Sequence, residues 1–369
     1  MQAIFAYHTA KEADYNICKK KAQDQFLPDL DSMEVQDKEA LSIDRARTAE
    51  VFDTLHKEGI EKIDSETKQE IIDEAKHYLR EWENNLPENK VHFKKRMISD
   101  LLHISDDYIK LLSLILDLEE LIEMQKRRKG IEHNNFAKNI IIKSLKESED
   151  FQAERARKKT SWDTDLIKAW LKEYIRPLEF FEEYDNMANP KYEDDLDFCL
   201  KLYKSVIFKH DNVNGYFESL DIGWEENKVI LKSMVLKTLK SVDSEGSEPL
   251  LMELSKNWDD DLNFLKELYD MTIDDEEELE EMIKSKSKNW DIERVAITDR
   301  IILEMAISEM THFPSIPVKV TINEYIELSK QYSTPKSKQF VNGLLDVLSV
   351  DLQNQGKIKK SGRGLLDNK

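Results

Sequence analysis

The sequence predicts an all-α fold, a helical bundle, and three observations carry that prediction. Glycine and proline are scarce, 9 and 8 in 369 residues, too few for a chain built on tight β-turns. Apolar residues recur at i, i+3, i+4 and i+7 over long stretches, the period of one buried helical face. Several of these stretches open on a helix start signal, such as Thr334-Pro335 with a hydroxyl at the N-cap and proline at the first helical position. With 35% charged and 40% hydrophobic residues, the chain reads as globular. Its length suits one large domain or two of ordinary size.

Taken in order, residues 1–20 open inside a helix. Ile4, Phe5 and His8 fit the helical period, but no capping residue precedes Met1. A helix entered midway suggests a start at an internal methionine. Residues 21–190 are helical by period. Ile71, Ile72, Ala75, Tyr78, Leu79 and Trp82 make one stripe, and Met97, Leu101, Leu102 and Ser105 another, followed by the run from Leu111 to Ile122. Asn84-Asn85-Leu86-Pro87 reads as a loop. The basic clusters at Lys94–Arg96, Lys126–Lys129 and Arg155–Lys159 read as solvated helix faces or C-terminal turns.

Residues 191–256 share a pattern with the stretch after them. Asp195-Leu196-Asp197-Phe198 returns as Asp261-Leu262-Asn263-Phe264, an offset of 264 − 198 = 66, shared by Trp224 and Trp290 and by Val229 and Val295. One offset across helix, loop and tryptophan indicates two copies of a helical unit. Both tryptophans read as core. Residues 257–355 form the second copy and its continuation, and 356–369 read as a basic, disordered tail.

The end of that lobe, Ile316 to Leu348, is the most informative stretch. Ile316-Pro317 breaks the preceding helix. Ile322, Tyr325, Ile326 and Ser329 form one buried face, and Phe340, Val341, Leu344, Leu345 and Leu348 the next. Gly343 lies inside the second stripe. A mid-helix glycine costs about 1 kcal/mol against alanine, so a close backbone contact is expected there.

No catalytic constellation emerges. There is no phosphate-cradling G-x-x-x-x-G-K-[ST], no G-x-G-x-x-G after a strand and no H-E-x-x-H. Cys199 and His210 could be paired as metal ligands, but a buried thiol and a surface imidazole is the simpler reading. Asp163 and Asp165, like Asp259 to Asp261, read as helix N-terminal charge. The acidic run 274–281 lacks the glycine turn of a calcium loop. Cys18 and Cys199 make no disulfide framework, which fits a reducing cytoplasm. The longest apolar patch, Leu111 to Leu118, is too short to span a bilayer, and no signal peptide is visible. No cofactor is expected. The net charge of −20 argues against nucleic acid on average. Screening over about 10 Å nevertheless lets a local basic face act on its own.

Ile316-Pro317-Val318-Lys319-Val320 with Ile322-Asn323-Glu324, then Phe340-Val341-Asn342-Gly343 with Leu345-Asp346, resemble the C-terminal signature of the NusB family of bacterial transcription antitermination factors. Asn289-Trp290, Arg294-Val295, Asp299 to Leu303 and Ala306 to Glu309 extend the likeness upstream. It covers about residues 257–352 and returns weakly at Met1–Tyr7. The resemblance implies a lobe completed by the N-terminal helix, with 21–190 as a helical insertion. It further implies binding of the boxA element of ribosomal RNA leaders. The partners would be the small-subunit ribosomal protein that doubles as NusE and the RNA polymerase antitermination complex, without turnover or membrane. The RNA contacts expected are Gln2, Phe5, Lys336, Lys338, Gln339 and Phe340, because exposed rings stack on unpaired bases and cations meet phosphates. The protein-partner contacts expected are Asp299 and Glu309. Two departures stand out: Glu304 where the family often has arginine, and Lys336 where some relatives carry an acid. The arginine-rich run that opens the family's first helix has no counterpart ahead of Met1. A fused RNA methyltransferase would need a Rossmann-type domain and a nucleophilic cysteine. An acidic helical scaffold without RNA binding is the alternative that −20 favours.

Overall fold

A computed structural model describes residues 1–31, 33, 35–130, 134–286 and 295–368, leaving aside the side chains of 335, 336, 367 and 368. Asn289, Trp290 and Arg294 therefore lie outside the described residues, as does the side chain of Lys336. Every regular element described is helical, as the sequence predicts. No described helix is long and apolar enough to cross a membrane. The chain forms two compact units, residues 1–98 with 259–369, and residues 99–258. The expected insertion, 21–190, is thus divided between them.

In the first unit, α1 (Gln2–Asp24) and α2 (Lys38–Lys57) pack together with the first half of α3 (Gln69–Arg128). Asp37 caps α2, its carboxylate accepting from the N–H groups of Glu39 and Ala40 at 3.1 Å each. The stripe Ile71–Ala75–Leu79–Trp82 is buried against Cys18, Ala22, Val51 and Phe52. No loop interrupts α3 at Asn84–Pro87, contrary to expectation. Proline removes one i→i−4 bond there, but tertiary contacts hold the helix on both sides. Trp82 Nε1 donates to the Lys11 carbonyl at 3.0 Å, Asn89 to Asp14 at 2.6 Å, and the Tyr269 hydroxyl to the Lys90 carbonyl at 3.0 Å.

The same unit contains α12 (Trp258–Asp274), α13 (Glu276–Lys286), α14 (Ile297–His312), α15 (Val318–Tyr332) and α16 (Pro335–Asn354); α12 is counted from its first residue, which closes the other unit. α14 is the central helix. Residues 301–310 are all buried, and α1, α13, α15 and α16 pack around them. Ile4 and Tyr7 of α1 enter the same core as Val341, Leu345 and Leu348 of α16. The first turns of α1 thus complete the lobe, while its later turns build the second core with α2 and α3. Gly343 departs from expectation: a Cβ there would meet nothing within 4 Å. The tail also departs, since Gly362–Asn368 forms a 3-10 helix. Ser361 N–H donates to the Pro314 carbonyl at 2.9 Å, which anchors it.

In the second unit, the latter half of α3 packs with α4 (Asn135–Lys138), α5 (Ile140–Glu147), α6 (Glu149–Arg157), α7 (Thr164–Trp170), α8 (Glu179–Asn186), α9 (Tyr192–Leu202), α10 (Asp211–Leu220) and α11 (Trp224–Ser241). Trp224 is buried, stacked on Phe217. Members of the basic clusters are paired, Lys94 with Asp270 in the first unit, and Lys126 with Asp185, Arg155 with Asp117 and Lys158 with Asp106 in the second. The 66-residue spacing recurs in the elements, α9 and α10 answering α12 and α13. It recurs in burial too, with Leu202 and Leu268, Tyr203 and Tyr269, Val213 and Leu279, and Val235 and Ile301 all buried. Tyr203 and Tyr269 each donate to a carbonyl of α3, that of Leu111 at 2.7 Å and that of Lys90 at 3.0 Å.

Candidate nucleic-acid interface

The residues expected to meet RNA sit at the starts of α1 and α16, two helices that both pack on α14. On α1 the period turns Ile4, Tyr7 and His8 inward. Gln2 and Phe5 are left outward, with Phe5 38% exposed. An exposed ring gives a base a face to stack on. On α16, Thr334 caps the helix by accepting from the Ser337 N–H at 3.3 Å, and proline follows at the first position. Gln339 is exposed, Lys338 is half-buried, and Phe340 is half-buried against the lobe core. Neither α1 nor α16 carries an acid in its first turn. Helix N-termini carry partial positive charge, and no acid in the first turn offsets it at either start.

Asp299 and Glu309, expected at a partner surface, are both buried, and their carboxylates are bonded within the lobe. Asp299 is 3% exposed and accepts a hydrogen bond from the Ser333 hydroxyl, one residue before the α16 N-cap. It fixes where α16 begins. Glu309 is 6% exposed and accepts from the Thr321 hydroxyl at 2.8 Å and the Tyr325 hydroxyl at 3.1 Å. Burial pushes its carboxyl up, with the two hydroxyls working against that shift. It ties α15 to α14. Acidic residues inside an amphipathic helix look the same in sequence whether they face water or a hydroxyl pair on another helix.

A polar cluster under α1 is the feature that sequence reasoning missed. His8 Nδ1 lies 3.3 Å from Glu276, and Nε2 lies 3.7 Å from Glu304. Lys11 Nζ pairs with Glu276 at 2.6 Å, and Arg300 Nε stands 3.6 Å from Glu304. Glu304 is fully buried, and neither of its oxygens has a hydrogen bond among the described residues. Burial alone would lower the His8 pKa, but Glu276 and Glu304 raise it above the usual imidazole value. Burial raises Glu304, which His8 and Arg300 partly oppose. Glu276 is held down to about 2, because His8 and Lys11 outweigh its burial. The unexpected Glu304 is thus an interior partner of α1. A signal existed: a glutamate inside the run Ile301–Ile307 needs a cation, and His8 is four residues on from Ile4 on the inward face.

Among the described residues no cluster of three metal-ligating side chains occurs. Cys199 is buried, bonded only weakly to Asn139, and burial pushes its thiol well up.

The fold and these surfaces define an all-α bundle in which an N-terminal helix closes a C-terminal lobe. The NusB family model matches residues 229–349. The transcription antitermination protein NusB of Salinibacter ruber is 38% identical over 141 residues, covering 37% of this chain and 88% of that protein. That of Geotalea daltonii is 35% identical over 123 residues, 33% of this chain and 82% of the relative. That of Chloroherpeton thalassium is 39% identical over 105 residues, 28% of this chain and 50% of the relative. The chain belongs to the NusB family. No solved structure matches it.

Proposed function

We propose that the protein is a transcription antitermination factor that binds the boxA-type single-stranded RNA of ribosomal RNA operons. It would act with the NusE ribosomal protein in the RNA polymerase antitermination complex. In this reading Gln2 and Phe5 of α1, with Lys338, Gln339 and Phe340 of α16, contact RNA, and Lys336 joins them from the first turn of α16. The observation that carries it is the exposed Phe5 on one acid-free helix start, with Lys338 and Gln339 on the other, in a chain of net charge −20. Asp299 positions α16, and the His8 cluster positions α1. The chemistry is equilibrium binding, with RNA bases on rings and phosphates on lysines.

The test is fluorescence anisotropy with a boxA-type strand and a scrambled strand at two salt concentrations. The wild-type chain, Phe5→Ala and Lys338→Ala are compared. Selective binding that falls steeply with salt, as phosphate contacts require, is expected. Phe5→Ala then weakens it by about 1–3 kcal/mol, the worth of one stacked base. Equal weak binding of both strands by all three proteins would remove the RNA role. An acidic helical scaffold, favoured by the net charge, would then stand in its place.

A further inference from the structure

A second surface of the first unit lies apart from the proposed RNA face and is independent of that reading. Phe264 and Leu268 of α12, Ile316, Val320 and Leu328 along α15, and Leu366 of the tail line a groove with a volume of about 610 Å³. That lies in the range of sites that take a ligand or peptide side chains. Two carboxylates belong to it: Glu324, exposed, and Glu309, buried.

The chain after α16 already lies across this groove. The Ser361 N–H donates to the Pro314 carbonyl at 2.9 Å, Lys360 Nζ to the Phe313 carbonyl at 3.0 Å, and Lys357 pairs with Glu278 at 2.8 Å. Beyond them, Leu365 and Leu366 remain 50% and 67% exposed. Leu366 lines the groove without filling it. The segment lies so close to the loop before α15 that a Cβ at Gly364 would stand 2.0 Å from the Pro314 carbonyl oxygen. Only glycine fits there. The seated segment has a definite chemistry: Lys357, Lys359, Lys360 and Arg363, followed by Leu365-Leu366. Of this segment, Arg363 and Leu366 line the groove together with the exposed Glu324 and the apolar side chains of α12 and α15.

We propose that this groove is a docking site for a short, leucine-bearing cationic peptide segment of a partner protein, and that residues 357–366 are a removable strap that occupies it in cis. The strap and the incoming segment compete for one surface. A partner's apparent Kd is therefore its intrinsic Kd divided by the fraction of time the groove stands open.

The probe is a fluorescein-labelled peptide of residues 357–369, titrated against the full chain by anisotropy. Two strap-release variants are compared with wild type. Gly364→Val places a side chain where the Pro314 carbonyl already lies. Ser361→Pro removes the N–H that carbonyl accepts. Both leave the α12 and α15 walls of the groove unchanged, and circular dichroism checks that both stay helical. If the strap is seated about nine-tenths of the time, release tightens binding of the peptide about tenfold. Val320→Asp, placed on the half-exposed groove wall in the released background, should abolish binding, as should replacing both peptide leucines with aspartate. Equal binding to wild type and both released variants would overturn the strap. Failure of the peptide to bind either folded released variant, or undiminished binding by Val320→Asp, would overturn the site.

Discussion

His8→Leu is the perturbation with the most to say about this structure. The imidazole stands 3.7 Å from Glu304, which is fully buried and has no hydrogen bond among the described residues. At an effective dielectric of about 20, a unit charge pair at that distance is worth about 4.5 kcal/mol before desolvation. Removing one partner of a buried pair costs about 3–5 kcal/mol, because the other charge is left behind. Arg300 stays 3.6 Å away, so His8→Leu should cost about 3 kcal/mol, near the bottom of that range. Glu304→Leu behaves differently. His8 keeps Glu276 at 3.3 Å, and an apolar side chain enters an apolar helix run, so that variant should be near neutral or stabilising. The double variant should track Glu304→Leu and cancel most of the His8→Leu loss. Urea denaturation at pH 6, followed by circular dichroism, measures all three. The His8→Leu loss should also shrink toward pH 4.5, because burial raises the Glu304 pKa and a proton then replaces the missing cation. Additive losses in the double variant, or a His8→Leu cost that is flat with pH, would refute the pairing.

In the wild type, His8, with its raised pKa, contributes stability that is complete below its unfolded value of 6.5 and lost as pH rises through the folded one. Glu276 contributes above its unfolded value of 4.5, and that contribution fades as pH falls toward about 2. The contribution of these two groups should therefore peak between about pH 4.5 and 6.5, which a urea series across pH 3–9 would trace. Gly343→Ala, in open space on a helix, should stabilise by about 0.5–1 kcal/mol; a loss in melting temperature would mean the glycine is needed at a contact. Thr238 is buried, accepts from the Tyr108 hydroxyl and donates to the Leu250 carbonyl at 3.1 Å, so Thr238→Val should cost about 1–3 kcal/mol by leaving the Tyr108 O–H without its acceptor and the Leu250 carbonyl without this donor. Cys18 and Cys199 are buried with raised thiol pKa values; alkylation by iodoacetamide should be slow in the folded chain and rapid in urea, and fast native labelling would contradict their burial.

What the sequence determined by itself was local and periodic. Thr334-Pro335 set the start of α16, Asp163 capped α7 by accepting from the Leu166 N–H at 2.8 Å, and the stripes at Ile71–Trp82 and Val341–Leu348 became core faces. Each is settled within one or two turns of chain, where cap chemistry and helical period act. The residues that carry the family likeness were legible for the same reason.

Tertiary structure decided whatever depends on a neighbour distant in sequence. Pro87 could lie inside α3 only because Trp82, Asn89 and Lys90 are held from other helices. Asp299 and Glu309 gave no sign in sequence of the Ser333, Thr321 and Tyr325 hydroxyls that bond them inside the lobe. His8 and Glu304 are 296 residues apart (304 − 8), and each looks misplaced on its own inward face. A buried charge is tolerable only beside its counter-charge, and which charge that is depends on how α1 lies against α13 and α14.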